Sequence, residues 1–131
     1  MGTKNWAISQ KENWSKKVSE DLFLKIINRE IPADIVYETD RVLAFRDINP
    51  QAPVHILIIP KKCIRTLDDV DSSQAELIGQ LFVVSAEIAR QEGISDDGYR
   101  VVMNCKQAGG QMVYHIHVHL LGGRQMRWPP G

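Results

Sequence analysis

The run His115-Ile116-His117-Val118-His119-Leu120-Leu121 places an imidazole at every second position over five residues. In a β-strand, side chains at i, i+2 and i+4 share a face. The three histidines then form a row with Cα atoms about 6–7 Å apart, from a rise of roughly 3.3 Å per residue. Ile116, Val118 and Leu120 face the other way, into a core. A helix turns about 100° per residue and would scatter the same imidazoles over more than half its circumference. Val and Ile also favour the strand. The pattern predicts a strand over 113–121 with one dry face and one chemical face.

Other segments supply neighbours for that strand. Ile35–Glu38, Val42–Asp47, Val54–Ile59 and Tyr99–Asn104 read as strands. Asp40-Arg41, Asn49–Pro53, Asp97-Gly98 and Lys106–Gly110 read as the turns and loops between them. Ser73-Gln74-Ala75-Glu76 fits a capping box. Leu77, Ile78, Leu81, Val84, Ile88 and Ala89 then recur at helical spacing, and Gly93 falls where a C′ glycine belongs. Ser19 can cap a short helix carrying Leu22, Phe23, Ile26 and Ile27, with Glu20 and Asp21 in its first turn; Ile31-Pro32 ends it. Short connections between consecutive strands predict an α+β fold. Its core is an antiparallel five-stranded sheet with one long and one short helix. No G-x-G-x-x-G or P-loop is present.

A chain of 131 residues predicts one domain over 19–131. Residues 1–18 are polar and read as a flexible extension. Sixteen basic residues balance sixteen acidic ones, which argues against DNA or RNA binding through general phosphate attraction. No apolar run reaches the ~20 residues of a membrane span, and the first residues lack the apolar stretch of a secretory signal. The expected location is the cytoplasm, with a mitochondrial presequence as the alternative. Cys63 and Cys105 make neither a disulfide framework nor a zinc pattern.

Three readings of the histidines compete. They are structural residues, or they bind a metal with His55 as a further ligand, or they catalyse chemistry at phosphorus. In the third, a neutral imidazole attacks, a neighbour fixes its tautomer and another protonates the leaving group. Gly109-Gly110-Gln111 just before the run could turn backbone N–H groups toward an anion. Asn104 offers an amide at the same sheet edge, and Asp47 a carboxylate suited to a ribose diol.

The run resembles the His-φ-His-φ-His-φ-φ signature of the histidine triad family. Phe23–Ile27, Glu30–Ala33, Leu43–Ile48, Pro50–His55, Ile59–Lys62, Gly98–Val102, Gly122–Met126 and Trp128–Gly131 resemble its nucleotide-binding protein branch. The resemblance spans roughly 19–131. It implies a HIT-like fold whose sheet joins a second one in a homodimer. It also implies a purine nucleoside phosphoramidase that cleaves adenosine or guanosine 5′-phosphoramidates, including aminoacyl adenylates, without a cofactor. Carried over by position, His117 is the nucleophile, His119 contacts the phosphate and leaving group, and His115 and His55 support the network. Gly110, Gln111, Met112 and Asn104 fall around the phosphate, and Asp47 at the ribose. Leu22, Phe23, Ile26, Phe45 and Ile48 form the base slot, and Trp128 approaches the partner's site. The dinucleoside polyphosphate hydrolase branch is the alternative, and it lacks the Trp128–Gly131 ending.

Two positions depart from the branch. Met112 stands where Ser is usual, and a thioether cannot donate a hydrogen bond. The expected consequence is slower turnover, or no useful turnover in a nucleotide-binding interaction protein. Cys63 stands where many members carry His, and no Cys-x-x-Cys precedes it, so no structural zinc is expected.

Overall fold

A computed structural model describes residues 22–131. The expected Ser19 cap, Glu20, Asp21 and the 1–18 extension lie outside the described residues. A first helix, α1, is described over 22–27. Five strands follow: β1 (Ile35–Glu38), β2 (Val42–Arg46), β3 (Val54–Pro60), β4 (Tyr99–Val102) and β5 (Val118–Gly122). The long helix α2 (Ala75–Gln91) connects β3 to β4. The strands order as β1-β2-β3-β5-β4, and every neighbouring pair is antiparallel. The fold is the predicted α+β sheet with one long helix.

Alternation along the strands separates two apolar layers. Val42, Ala44, Ile56, Ile58, Ile116, Val118 and Leu120 pack under α2 against Leu77, Leu81, Val84 and Ile88. On the opposite face Leu43, Phe45, Leu57 and Ile59 pack against Phe23 and Ile26 of α1. Each fully buried aliphatic or aromatic side chain contributes about 1.5–3 kcal/mol. Both faces of β2 and β3 are therefore covered, as their near-continuous apolar sequences require. The β1–β2 turn closes where Thr39 Oγ1 accepts from the Arg41 and Val42 amides.

The ends of α2 correct one expectation and meet another. The capping box forms two residues earlier than predicted. Asp71 accepts from the Ser73 amide, and Gln74 Oε1 accepts from the Asp71 amide at 2.8 Å. An ionised carboxylate is the stronger acceptor at a helix start, so Asp71 takes the role expected of Ser73. A 3-10 turn (Ser72–Gln74) then leads into the helix. At the other end Gly93 has φ +74°. Gly93 donates to Arg90 O and Ile94 to Ala89 O, a Schellman closure.

The largest difference lies in the histidine run. β5 begins at Val118, so residues 113–117 are not strand. Carbonyls from the end of β3 and the segment after it hold this stretch and the loop before it instead of a ladder. Pro60 O accepts from His115 Nε2, Ile64 O from the Ile116 amide, and Arg65 O from Gln111 Nε2. The alternation survives the change. Ile116 stays in the layer beneath α2, and His115 and His117 meet Phe23 on the other face.

Candidate active site

His119 enters the site from β5, opposite Leu57 of β3. His55 lies one diagonal step away on the same face, and the two rings meet with His55 Nε2 and His119 Nδ1 2.9 Å apart. The loop after β2 brings Gln51 back, and its amide N–H approaches His55 Nδ1 at 3.0 Å. A main-chain amide can only donate, so Nδ1 of His55 accepts and its proton sits on Nε2. Nε2–H of His55 then donates to Nδ1 of His119, which places the His119 proton on Nε2. One backbone amide thus sets two tautomers in series.

His117 is set separately. Its Nδ1 lies 2.8 Å from His115 O, and a carbonyl only accepts. Nδ1 carries the proton and Nε2 keeps its lone pair. Phe23 stands edge-on to the ring at 5.1 Å between centroids, and the His119 ring lies at 4.9 Å. His115 is fully buried and donates from Nε2 to Pro60 O at 2.7 Å. Its carbonyl, and not its ring, therefore reaches the neighbouring histidine. Its Nδ1 has no partner among the described residues.

Burial holds all four imidazoles neutral. It pushes His117 below its ordinary value against the pull of the His115 carbonyl and the Asp47 charge. Burial pushes His119 down to about 4, reinforced by His117 and His55. Burial likewise lowers His55 and His115. A neutral imidazole with an exposed lone pair is a nucleophile, and one with a fixed N–H is a donor. The site holds one of each, side by side.

These groups open on a cleft of about 290 Å³. Of the residues singled out in the sequence, His117, His119, Asp47, Asn104, Gly110, Met112, Leu22, Phe23, Ile26, Phe45 and Ile48 line it. Its floor is apolar, and its edge carries Asp47, Asn104 and the imidazoles. Ile31, Pro32, Ala33, Leu57 and Val113 also line it, and were not anticipated as site residues. Leu57 could have been found, because it shares the alternating face of His55 and Ile59. His55 and His115 do not line the cleft. Trp128 is 82% exposed and does not line it.

Gly110 and Gln111 depart from the expected anion cradle. Their amides already donate to Gln107 O and Lys106 O within the loop. The Gln111 side chain is also bonded internally, through Lys106 N, Arg65 O and Val113 O. Gly109 is required for close approach. A Cβ there would fall 2.5 Å from the main-chain oxygen of Cys105.

Asp47, His55 and His119 bring three potential ligand atoms within 4.8 Å of one another. Two imidazoles and a carboxylate are a donor set that zinc accepts. The His55 tautomer opposes it. The nitrogen turned toward the cluster carries the proton, and the Gln51 amide occupies the lone pair of the other. A cation would have to displace that proton or break the Gln51 bond. The cluster is built around a proton.

A family model described as the HIT domain matches residues 28–126. A protein of Escherichia coli K12 named purine nucleoside phosphoramidase is 59% identical over 107 residues, covering 82% of this chain and 90% of the relative. A maize protein named 14 kDa zinc-binding protein is 54% identical over 127 residues, covering 94% and 98%. Among solved structures, a HIT family hydrolase from Legionella pneumophila Philadelphia 1 superposes with a TM-score of 0.83 at 56% identity, covering 84% of this chain and 98% of that one. With the fold, the paired imidazoles and these likenesses in agreement, the chain belongs to the HIT domain family.

Proposed function

We propose that this protein hydrolyses the P–N bond of purine nucleoside 5′-phosphoramidates, releasing the nucleoside monophosphate and an amine. The observation that carries this reading is the His117 ring, whose Nδ1–H is held by His115 O so that Nε2 keeps a lone pair beside the cleft. The apolar floor suits a purine face, which buries well and needs few polar contacts. Asp47 suits the ribose diol. The similarity to the E. coli phosphoramidase supports the same reaction.

Two displacements account for it. Nε2 of His117 bonds to phosphorus and the P–N bond breaks. The amine leaves with a proton from His119 Nε2. His119 takes up that proton from solvent once phosphoryl charge enters the cleft. Its Nδ1 then releases the His55 N–H, which has Asp47 Oδ2 3.5 Å away, and the Asp47 carboxylate favours the charged His119. Water then attacks phosphorus and returns a proton to His119, and the P–Nε2 bond breaks. Two in-line steps retain configuration at phosphorus. Arg46, a cation lining the cleft, is already paired with Glu92 at 2.6 Å and Asp34 at 3.4 Å. Neutral N–H donors therefore stabilise the phosphoryl oxygens, as preorganised dipoles can in a partly dry site.

The test is release of a fluorogenic amine from an adenosine 5′-phosphoramidate. Release is expected at an unchanged rate after EDTA treatment, and no activation by added zinc. A rate that falls on chelation and returns with metal would overturn the metal-free scheme. Binding of AMP without any release would favour a nucleotide-binding interaction protein.

Met112 gives that second reading its one structural support. It sits at the cleft lip, 80% exposed, with a side chain that cannot donate. Restoring one transition-state hydrogen bond is worth about 1–3 kcal/mol, or roughly ten- to a hundredfold in rate. Met112→Ser is expected to raise kcat by that factor; equal kcat for all amines tested would show that the thioether costs nothing. The protein is further proposed to act as a homodimer in the cytoplasm, with Trp128 reaching toward the partner's cleft. No helix among the described residues is long and apolar enough to cross a membrane.

A further inference from the structure

Gln111 is 6% exposed and makes three hydrogen bonds. Its Oε1 accepts from Lys106 N at 2.8 Å. Its Nε2 donates to Arg65 O at 2.8 Å and to Val113 O at 3.0 Å. One amide donor and two carbonyl acceptors fix the orientation of the carboxamide without ambiguity. The bonds reach three places: the start of the 106–111 loop, the segment after β3, and the lip of the cleft. The Gln111 amide also donates to Lys106 O. Lys106 and Gln111 therefore close the loop reciprocally, as a pair of bridged strand residues would.

An inventory of main-chain donors shows what this clamp holds. In the lip, the amides of Gly110 and Gln111 are satisfied within the loop. Those of Met112 and Val113 have no protein acceptor among the described residues, and both residues line the cleft. The Gln111 side chain binds the carbonyl that follows them, Val113 O, and ties it to Arg65 O. No other side-chain bond is recorded to the main chain of residues 110–113.

We propose that Gln111 is a positioning residue, which holds the Met112–Val113 lip where its free amides meet the phosphoryl group. This rests on the nucleotide reading above and reassigns Gln111 from a ligand contact to the support behind one. It also separates Met112's two contributions. The thioether donates nothing, whereas the main-chain N–H keeps its place as long as Gln111 does. The apolar slot is built chiefly from α1, β2 and β3, and only Val113 of the clamped lip packs against it.

Phosphate and base recognition should therefore come apart. The test compares binding of AMP and of adenosine by calorimetry for wild type, Gln111→Glu and Gln111→Met. Glu keeps an acceptor for Lys106 N and the shape of the residue but cannot donate. Met keeps only the volume. Both variants are expected to weaken AMP at least tenfold, with adenosine affinity within about twofold, and to lower kcat/KM at least tenfold. Adenosine binding reports that the slot is folded, so a poorly folding variant remains readable in its soluble fraction. AMP and adenosine weakening together would make Gln111 a merely structural residue, and unchanged AMP binding would remove its role altogether. Wild type that binds neither ligand would overturn the nucleotide reading itself.

Discussion

Replacing His117 by Ala is expected to lower phosphoramidase turnover by about 10⁴-fold or more, the scale seen when a covalent nucleophile is removed. The reason is specific to this ring. His119 is the imidazole beside it, at 4.9 Å between centroids. Its Nδ1 is occupied by the His55 proton and its Nε2 bears a proton of its own. His119 has no spare lone pair and cannot substitute. Replacing His119 is expected to cost less, on the order of 10²–10⁴-fold, as loss of a general acid. The readout is amine release under single-turnover conditions, with nucleotide affinity measured alongside. His117→Ala that binds AMP as wild type does but releases no amine fits the scheme. Release persisting within tenfold would place the nucleophile elsewhere.

Acid is expected to unfold this protein earlier than its charge balance suggests. His55, His115, His117 and His119 all have folded-state values below the ordinary 6.5, chiefly through burial. A lowered histidine means that the unfolded chain binds protons more readily. The resulting stability is complete above about pH 6.5 and is lost as pH falls toward the folded values. For His119 the fall is from 6.5 to about 4. At about 1.4 kcal/mol per unit, that one ring accounts for at most about 3–4 kcal/mol, a large share of a typical domain's 5–15 kcal/mol. Denaturant titrations at pH 7.5, 6, 5 and 4.5 should show stability falling throughout, most steeply below 6. His119→Asn should flatten that dependence. Equal slopes for the two proteins would contradict the assignment of His119 as a buried neutral ring. Catalysis should fall over the same window, because protonating Nε2 of His117 removes the attacking lone pair.

Much of the fold was legible because strand alternation is a local property. The edges of β1, the apolar run of β3, the spacing in α2 and Gly93 at its end follow from neighbouring residues alone. The histidine run was half legible. Its alternation predicted the two faces, but the paired strand begins only at Val118. The carbonyls that replace the ladder come from Pro60, Ile64 and Arg65, and no local pattern announces a partner fifty residues away. The same limit explains the loop. Gly109-Gly110 suggested an anion cradle, yet the amides of Gly110 and Gln111 close the loop on itself. The capping box moved from Ser73 to Asp71 because two overlapping patterns were present and the stronger acceptor prevailed. Which lone pair each imidazole presents could not be read from sequence at all. It depends on single atoms, namely Gln51 N and His115 O.

Strand β3 carries a consequence of its own. Its residues alternate between the layer beneath α2, reached by Val54, Ile56 and Ile58, and the opposite face, where His55, Leu57 and Ile59 lie. The even positions serve the survival of the folded chain alone, and the odd ones serve both survival and chemistry, since Leu57 and Ile59 are core residues and Leu57 also lines the cleft. Natural variation along this one strand is thus filtered by one criterion at the even steps and by two at the odd. A lineage could retune what the cleft accepts at Leu57 only through exchanges that keep the apolar volume this side chain also gives the second layer.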